Sequence, residues 1–526
     1  MIDENVMNSR LKKLLLLLNK GDFWFFVLVL GMGLLYGYQD IVKLEPQSVH
    51  VWRQTDCTSL AKNYYQNGMD FNHPEIHFLA SDGKTSGYCV GEFPILYYAV
   101  GGLYHIFGPN ETVFRVFNLL IFFLGLFALY KLLSEVLKDK FWAIGISALL
   151  FCSPVIVFYA NNFLPNVPAI SLVFISWYFF VRYHKSHKVW WLVLSSCLFT
   201  IAGLLKITAL LSFIPLVGIL LLEITGLLKH FGYKEKFFAH TKIALGLFLA
   251  SAFAIFLWYN HAIAYNTFHD SVYFSTRTWP LWDLTDVQID SIIQKVKQIW
   301  LQEYWHISVV YIVGLLLVIA LWKSRHFNAF FSYMVITMTI GVVAYVLLWF
   351  MAFGNHDYYI IDILVWCLFI LVAFLDYVRK NHTRWFHSVG LKLLFLSLLL
   401  ININYANKRT QSRYIGWMNN MGNITALNGM ESYLGEIGVG KNDKVISIPD
   451  PSPNHSLSLI NRKGWTDLYR WNDSQEKINQ LIDLGASYLI VNDKNILQER
   501  TYLKTFTKEE IGNKNGVYIY KLSRQF

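Results

Sequence analysis

Charged residues are scarce in this chain. Asp, Glu, Lys and Arg make up 15% of its 526 residues, whereas soluble proteins usually carry about 25%. Apolar residues make up 55% of the chain, and they are gathered in long runs instead of alternating with polar residues. These observations argue against a soluble globular protein and predict an all-α polytopic membrane protein.

Cysteines and nucleotide-binding motifs are also lacking. Five cysteines are too few for a disulfide scaffold. Cys57 and Cys89 lie in one polar loop. If that loop faces an oxidising compartment, a disulfide between them is possible. There is no G-x-G-x-x-G or Walker-type loop. The apolar runs contain no regularly spaced charge series, so the sequence gives little sign of an ion pathway.

The net charge of +10 could indicate a nucleic-acid partner. The Lys and Arg residues, however, lie in short loops between apolar runs, as the positive-inside rule expects for cytoplasmic loops. We therefore predict no nucleic-acid partner. Residues 1–22 are basic and amphipathic and are predicted to lie on the cytoplasmic membrane face.

The apolar runs predict eleven membrane spans, with up to thirteen allowed. Ile95 to Phe107 is too short for a normal span of about 20 residues. Counting it as a crossing would also place every later basic loop outside, so we expect a juxtamembrane or re-entrant helix there. The preferred spans are about 23–38, 114–133, 141–160, 167–182, 189–205, 207–228, 241–262, 306–322, 328–350, 358–378 and 389–404.

Two further regions follow the lead-in at residues 1–22. Residues 23–404 form a transmembrane domain, and its first outer loop, residues 43–113, is strongly polar. Residues 405–526 lack long apolar runs and predict a small α/β domain on the extracytoplasmic face. Its predicted elements are strands at 444–448, 487–491 and 517–520 and a helix at 474–484.

With this topology the unusual polar residues gather on the outer side of the membrane. Such a site suits a substrate with a polar head and a tail that stays in lipid. These residues are Asp56, Glu92, Asn161, Asn162, Asn166, Lys206, Asn355, His356, Asp357, Tyr358 and Tyr359.

Sugar transfer from a lipid phosphate has requirements that this set can meet. A carboxylate must accept the proton of the acceptor hydroxyl, and Asp56 is the candidate base. Lys206, with Arg53 or His356, could bind the departing phosphate. A second acid, Glu92 or Asp357, could orient the acceptor or help to bind a divalent ion.

The order of short motifs resembles that of a known superfamily. Trp52-Arg53-Gln54-Thr55-Asp56, Gly91-Glu92-Phe93-Pro94, Leu164-Pro165-Asn166, Gly203-Leu204-Leu205-Lys206 and His356-Asp357-Tyr358-Tyr359 follow one another along the chain. This order is similar to that in GT-C glycosyltransferases, which use polyprenyl-phosphate-linked sugars. The likeness is to bacterial relatives of the protein O-mannosyltransferases and of the lipid A aminoarabinose transferase.

The resemblance implies a multi-pass enzyme of the plasma (inner) membrane, with its active site outside. It implies a catalytic acid at Asp56, a second catalytic position at Glu92 and phosphate contacts from Lys206 and Tyr358. Asn166, Asp357 and Tyr359 would contact substrate. Because Asn166 stands where the family has an acid, a two-acid metal site is weakened and metal dependence stays open. The sugar and the acceptor (a lipid, glycan or protein) stay unassigned.

Other interpretations remain. Asp56 could be an ordinary helix cap, Lys206 could mark the membrane interface, and His356 with Asp357 could cap a span. A transporter or flippase of lipid-linked sugars is the alternative function, but it would favour paired broken spans and charges at the membrane midplane.

Overall fold

The computed structural model describes residues 20–83, 85–228, 236–271, 273–274, 278–417 and 422–525. Nearly all of the predicted lead-in at residues 1–22 lies outside these described residues. The predicted outer loop and C-terminal domain also include a few residues outside them, 84, 418–421 and 526.

Apolar helices build the first four-fifths of the chain. All eleven predicted spans coincide with helical structure, and two of them begin with 3₁₀ turns, Ile207–Ser212 and Asp357–Ile363. The principal helices are α1 (Lys20–Leu35), α2 (Val51–Gln66), α3 (Ile95–Phe107), α4 (Glu111–Leu137), α5 (Lys140–Leu150), α6 (Pro154–Ala160), α7 (Asn166–Ser186), α8 (Val189–Leu205), α9 (Phe213–Ile224), α10 (Thr241–Phe268), α11 (Asp286–Lys295), α12 (Ile307–Trp322), α13 (Ala329–Leu348), α14 (Leu364–Asn381) and α15 (Val389–Trp417).

Within the described residues, six helices are long and apolar enough to cross a membrane. The number rises to eight if each of two bent pairs forms one span. One pair is α5 with α6, bent by 75°, and the other is Asp286–Tyr304 with α12, bent by 97°. The prediction of a helical membrane protein is confirmed, while the count of eleven spans stays a prediction.

The short apolar segment after the polar loop is a helix of 13 residues, α3. It begins directly after Pro94 and ends at Gly108, whose φ of 79° is easily adopted only by glycine. These bounds match the predicted short helix, and its position beside the membrane stays a prediction.

The predicted α/β domain is present at the C-terminus. Its elements are α16 (Met430–Glu436), β1 (Lys444–Ile448), α17 (His455–Ile460), β2 (Gly464–Trp465), α18 (Gln475–Asp483), β3 (Ala486–Val491), β4 (Glu510–Lys514) and β5 (Val517–Lys521). The sheet has the order β2-β1-β3-β5-β4; β1 pairs in parallel with β2 and β3, and β5 runs antiparallel to β3 and β4. The sequence analysis missed the two edge strands, β2 and β4.

The last long helix runs past the predicted domain boundary. The sequence placed the boundary at 404, but α15 continues to Trp417. Its polar final turns are held by ion pairs, since Arg413 lies 2.7 Å from Glu303 and 2.7 Å from Asp357, and Arg409 also pairs with Glu303. Tertiary contacts therefore stabilise a helical stretch whose composition predicts the start of a separate domain.

We expect Gly125→Ala to destabilise the helix bundle. A Cβ atom at Gly125 of α4 would lie 2.7 Å from Cα and 2.9 Å from the carbonyl oxygen of Ser171 in α7. Because backbone atoms cannot move aside, the helices must separate, at a cost of about 1–3 kcal/mol. The measurement is the melting temperature of the purified protein in detergent.

Gly314→Ala is the matched control. Gly314 lies in α12 and its Cβ position has no heavy atom within 4 Å, so alanine should be neutral or add up to about 1 kcal/mol through helix propensity. Equal melting temperatures for the two variants would contradict the tight α4–α7 contact.

Candidate active site

A cavity of about 850 Å³ joins the polar motifs. Nine of the polar residues were given a role in the sequence analysis, and all of them except Asp357 line this cavity. Asn161, Asn162 and Asn355, which were given no role, do not line it. The lining residues are Ser48, His50, Val51, Trp52, Arg53, Asp56, Gly91, Glu92, Pro165, Asn166, Leu205, Lys206, Ile207, Thr208, Tyr259, Ile263, Tyr273, Phe274, Trp279, Trp349, His356, Tyr358 and Tyr359.

Asp56 lies in the second turn of α2 and is only 2% exposed. The Tyr273 hydroxyl lies 3.0 Å from both of its carboxylate oxygens, and the Asn454 amide donates to Oδ1 at 3.1 Å. Burial raises the pKa of Asp56 to about 6, although Arg53 and the two hydrogen bonds act to lower it. Such a carboxylate is charged near neutral pH and is basic enough to accept a proton.

Glu92 is paired with Arg53, which lies one turn before Asp56 on α2. The Arg53 guanidinium and the Tyr97 hydroxyl both donate to Glu92 Oε1. Burial alone would raise the pKa of Glu92, but the Arg53 charge and the Tyr97 hydrogen bond outweigh it and hold the pKa below its ordinary value. Glu92 is therefore a fixed anion whose charge is balanced by Arg53.

Lys206 occupies a break between two helical segments. It follows α8 in an extended conformation, φ −156° and ψ 110°, before the 3₁₀ turn Ile207–Ser212. Its Nζ lies 4.1 Å from the ring centroid of Tyr359 and 5.8 Å from that of Tyr358. Among the described residues no carboxylate lies within 4 Å of this ammonium, so its positive charge is available to an anionic ligand.

The His356–Tyr359 turn faces the cavity with its rings. The His356 ring packs against His50 and Tyr358, with centroid distances of 5.3 and 5.2 Å. Burial, helped by His50 and Lys206, lowers the pKa of His356 to about 3. His356 is thus a neutral donor or acceptor at this site, not a cation.

Asp357 faces away from the cavity and is fully buried. It accepts hydrogen bonds from the Tyr159 hydroxyl at 2.5 Å and from Arg413 at 2.7 Å, and His50 Nε2 lies 3.2 Å away. These contacts join the turn to α15 and to the start of α2. Asp357 therefore supports the cavity wall.

Backbone and amide contacts hold the remaining pieces together. Asn166 donates to the carbonyl oxygen of Tyr358 at 3.4 Å. The Phe93 N–H donates to the Leu204 carbonyl at 3.0 Å, which fixes the Glu92 loop beside the Lys206 turn. The motifs are distant in sequence, but direct bonds set their spacing.

Sequence reasoning missed His50, Tyr273 and Asn454. His50 has a φ of 56° and directly precedes α2, and Tyr273 follows α10 in an irregular segment. Asn454 belongs to the C-terminal domain. His50 could have been found, because it is a polar residue close to the Trp-Arg-Gln-Thr-Asp motif. No local sequence pattern marks Tyr273 or Asn454.

The described residues contain no group of three or more His, Cys, Asp or Glu side chains that could hold a metal ion. Asp56 and Glu92 both line the cavity, but the Glu92 carboxylate already forms an ion pair with Arg53. Cys57 and Cys89 are buried free thiols, and the Cys57 sulfur lies 3.4 Å from the Tyr97 hydroxyl. The described cavity residues thus bring together a buried carboxylate and an ammonium group.

The resemblance to GT-C proteins is confirmed by comparison with known families and structures. A family described as dolichyl-phosphate-mannose-protein mannosyltransferase matches residues 92–258. This segment includes Glu92, Asn166 and Lys206 but neither Asp56 nor the C-terminal domain. No curated protein matches the chain in sequence.

Solved structures share the fold over nearly the whole chain. ArnT from Cupriavidus metallidurans in the apo state has a TM-score of 0.58 and 11% identity, covering 96% of this chain and 98% of that one. The same protein bound to undecaprenyl phosphate has a TM-score of 0.57 and 10% identity, with coverage of 95% and 98%.

Arabinofuranosyltransferase AftD from Mycobacteria has a TM-score of 0.54 and 12% identity, covering 95% of this chain and 40% of that one. At these identities the likeness establishes the fold. The chain is a multi-pass membrane protein with the GT-C fold and a C-terminal α/β domain.

We expect Asp56→Asn to stabilise the protein at pH 7.5. The pKa of Asp56 is raised from 3.8 to about 6 by folding, so the charged carboxylate opposes folding most strongly above pH 6. This penalty, up to about 3 kcal/mol, shrinks as the pH falls from 6 to 4 and is absent below the unfolded value.

The measurement is the melting temperature of both proteins between pH 4 and 8. The variant should melt several degrees higher at pH 7.5 and at nearly the same temperature at pH 4. A variant that is less stable than the wild type at pH 7.5 would contradict the prediction that burying the charged Asp56 carboxylate destabilises the folded protein.

Proposed function

We propose that the protein is an integral-membrane glycosyltransferase that moves a sugar from a polyprenyl-phosphate donor to an acceptor hydroxyl on the extracytoplasmic face. The observation that carries this proposal is one cavity lined by a buried carboxylate, Asp56, and by the ammonium of Lys206, which has no carboxylate within 4 Å in the part of the chain that the structure describes. The shared GT-C fold supports it, because the ArnT structure with this fold binds undecaprenyl phosphate.

In this proposal the donor phosphate binds beside Lys206. The Arg53 charge is already balanced by Glu92, so Lys206 supplies the excess positive charge of the wall. Tyr358 and neutral His356 lie at the same end and can donate hydrogen bonds to phosphate oxygens. Asn166 and Tyr359 border the space next to them, where the sugar ring would lie.

Asp56 acts as general base at the other wall. It takes the proton of the acceptor hydroxyl as the acceptor oxygen attacks the anomeric carbon. The bond from that carbon to the phosphate oxygen breaks, and its electron pair leaves with the polyprenyl monophosphate. A single displacement of this kind inverts the anomeric configuration, and Lys206 stabilises the charge that develops on the leaving phosphate.

Glu92 contributes by fixing Arg53. Its oxygen accepts from both Arg53 and Tyr97, so it has little freedom to take up a proton. The Glu92–Arg53 pair then shapes the cavity wall between the base and the phosphate. Metal dependence stays open. It is decided by measuring sugar transfer with and without a chelator.

Asp56→Asn should abolish sugar transfer while leaving the fold intact. Loss of a positioned general base costs about 10²–10⁴-fold in rate. Proteoliposomes would receive undecaprenyl-phosphate-linked hexoses and pentoses with a membrane extract as acceptor, and released undecaprenyl phosphate would be measured together with the labelled product.

Asp40→Asn is the control, because Asp40 is an exposed carboxylate outside the cavity. Full transfer by Asp56→Asn would overturn the assignment of the base. Movement of the donor lipid across the bilayer without any new glycosidic product would instead favour the flippase.

Lys206→Met should weaken donor binding. A lost charge-assisted contact to phosphate is worth about 1.5–3 kcal/mol, which predicts an increase of roughly ten- to hundredfold in the KM for the donor. Lys206→Arg should recover part of this loss. Lys43→Met, at an exposed lysine outside the cavity, should leave KM unchanged, and an unchanged KM in Lys206→Met would refute the phosphate role.

A further inference from the structure

One of the groups that hold Asp56 comes from the C-terminal domain. Asn454 precedes α17, is fully buried, and donates from Nδ2 to Asp56 Oδ1 at 3.1 Å. The two residues are 398 positions apart in sequence. A buried amide directed at a buried carboxylate has a specific electrostatic effect, since it stabilises the charged form.

The domain carrying Asn454 is seated on the same helix as Asp56. Ser458 of α17 makes two of these contacts. Its hydroxyl lies 3.1 Å from the Thr58 hydroxyl, and the Ser458 carbonyl oxygen accepts a hydrogen bond from Lys62 Nζ at 3.2 Å. Thr58 and Lys62 follow Asp56 on α2. The position of Asn454 relative to Asp56 is therefore set by contacts within two turns of one helix.

A second set of contacts fixes the domain from the other side. His77 of the polar loop lies 2.9 Å from Asn461 Oδ1 through its Nε2, and its carbonyl accepts from the Gly464 N–H at 2.9 Å. Its Nδ1 lies 2.6 Å from the Ser59 hydroxyl of α2. His77 thus joins α2, the polar loop and the sheet of the domain.

We infer that Asn454 is a positioning residue for Asp56, and that the C-terminal domain completes the active site by supplying it. The Tyr273 hydroxyl spans both carboxylate oxygens, and Asn454 adds a donor to Oδ1 alone. This asymmetric pair of donors fixes the rotation of the carboxylate. The amide orientation is determined by chemistry, because a reversed amide would face its oxygen towards an anion.

The inference rests on the proposed function only for what Asp56 does. The other groups that interact electrostatically with Asp56 are Arg53 and Cys57 on α2, Glu92 and Cys89 on the polar loop, and Tyr273 after α10. None of these is changed when Asn454 is replaced. The effect of Asn454 can therefore be measured on Asp56 itself, without turnover.

The test uses the wild type and the variants at Asn454, and each of these proteins is compared with the same protein carrying Asp56→Asn. The difference in melting temperature between the two is followed from pH 4 to 9. Its slope against pH falls to zero as Asp56 ionises in the folded protein, and the midpoint of this fall gives the folded-state pKa of Asp56. In the wild type the midpoint should lie at about pH 6. Asn454→Ala removes a donor to the anion and should raise the midpoint by about one pH unit.

Asn454→Asp keeps the size of the side chain and serves if the alanine variant fails to fold. It places a second carboxylate against Asp56, so the midpoint should rise further than with alanine. Asn428→Ala, at an exposed asparagine of the same domain, should leave the midpoint at the wild-type value.

A purely structural role for Asn454 would lower the melting temperature at every pH and leave the midpoint in place, and that result would overturn the inference. Failure of the proposed function looks different. In that case Asp56→Asn retains transfer activity, whatever the midpoints show.

Discussion

The arrangement of this site depends on keeping a carboxylate where water hardly reaches it. Removing Asp56 from water opposes its ionisation, and the chain compensates with donors from separate regions. Arg53 comes from the same helix, Tyr273 from the segment after α10 and Asn454 from the C-terminal domain. The docking of these regions on α2 is thus tied to the charge state of one side chain.

The balance of charge in the cavity explains how two cations can have different roles. Arg53 and Glu92 neutralise each other and form part of the wall. Lys206 has no carboxylate within 4 Å among the described residues and lies against the rings of Tyr358 and Tyr359, while its charge acts on Glu92 and Asp362 from further away. A phosphate would therefore be attracted to Lys206 more strongly than to Arg53, whose charge is already balanced.

Much of the site could be predicted from sequence because its motifs lie at the ends of apolar runs. The predicted topology places polar residues at these ends on one side of the membrane, and Asp56, Glu92, Lys206 and Tyr359 do line one cavity. The contacts of Asn454 and Tyr273 depend on tertiary docking and leave no local pattern. The motif around Asp357 was recognised, but its inward orientation depends on Arg413, which composition had assigned to a separate domain.

The cation–π contact of Lys206 affects how an anion could bind at this site and leave it. An ammonium paired with an acid would have to break that bond each time an anion arrived, and re-form it afterwards. Resting on the face of Tyr359 at 4.1 Å, Lys206 is stabilised by an uncharged partner that any phosphate can outcompete. An anion could then bind and leave without breaking an ion pair of the cavity wall. Between two binding events the Tyr359 ring stabilises the Lys206 ammonium.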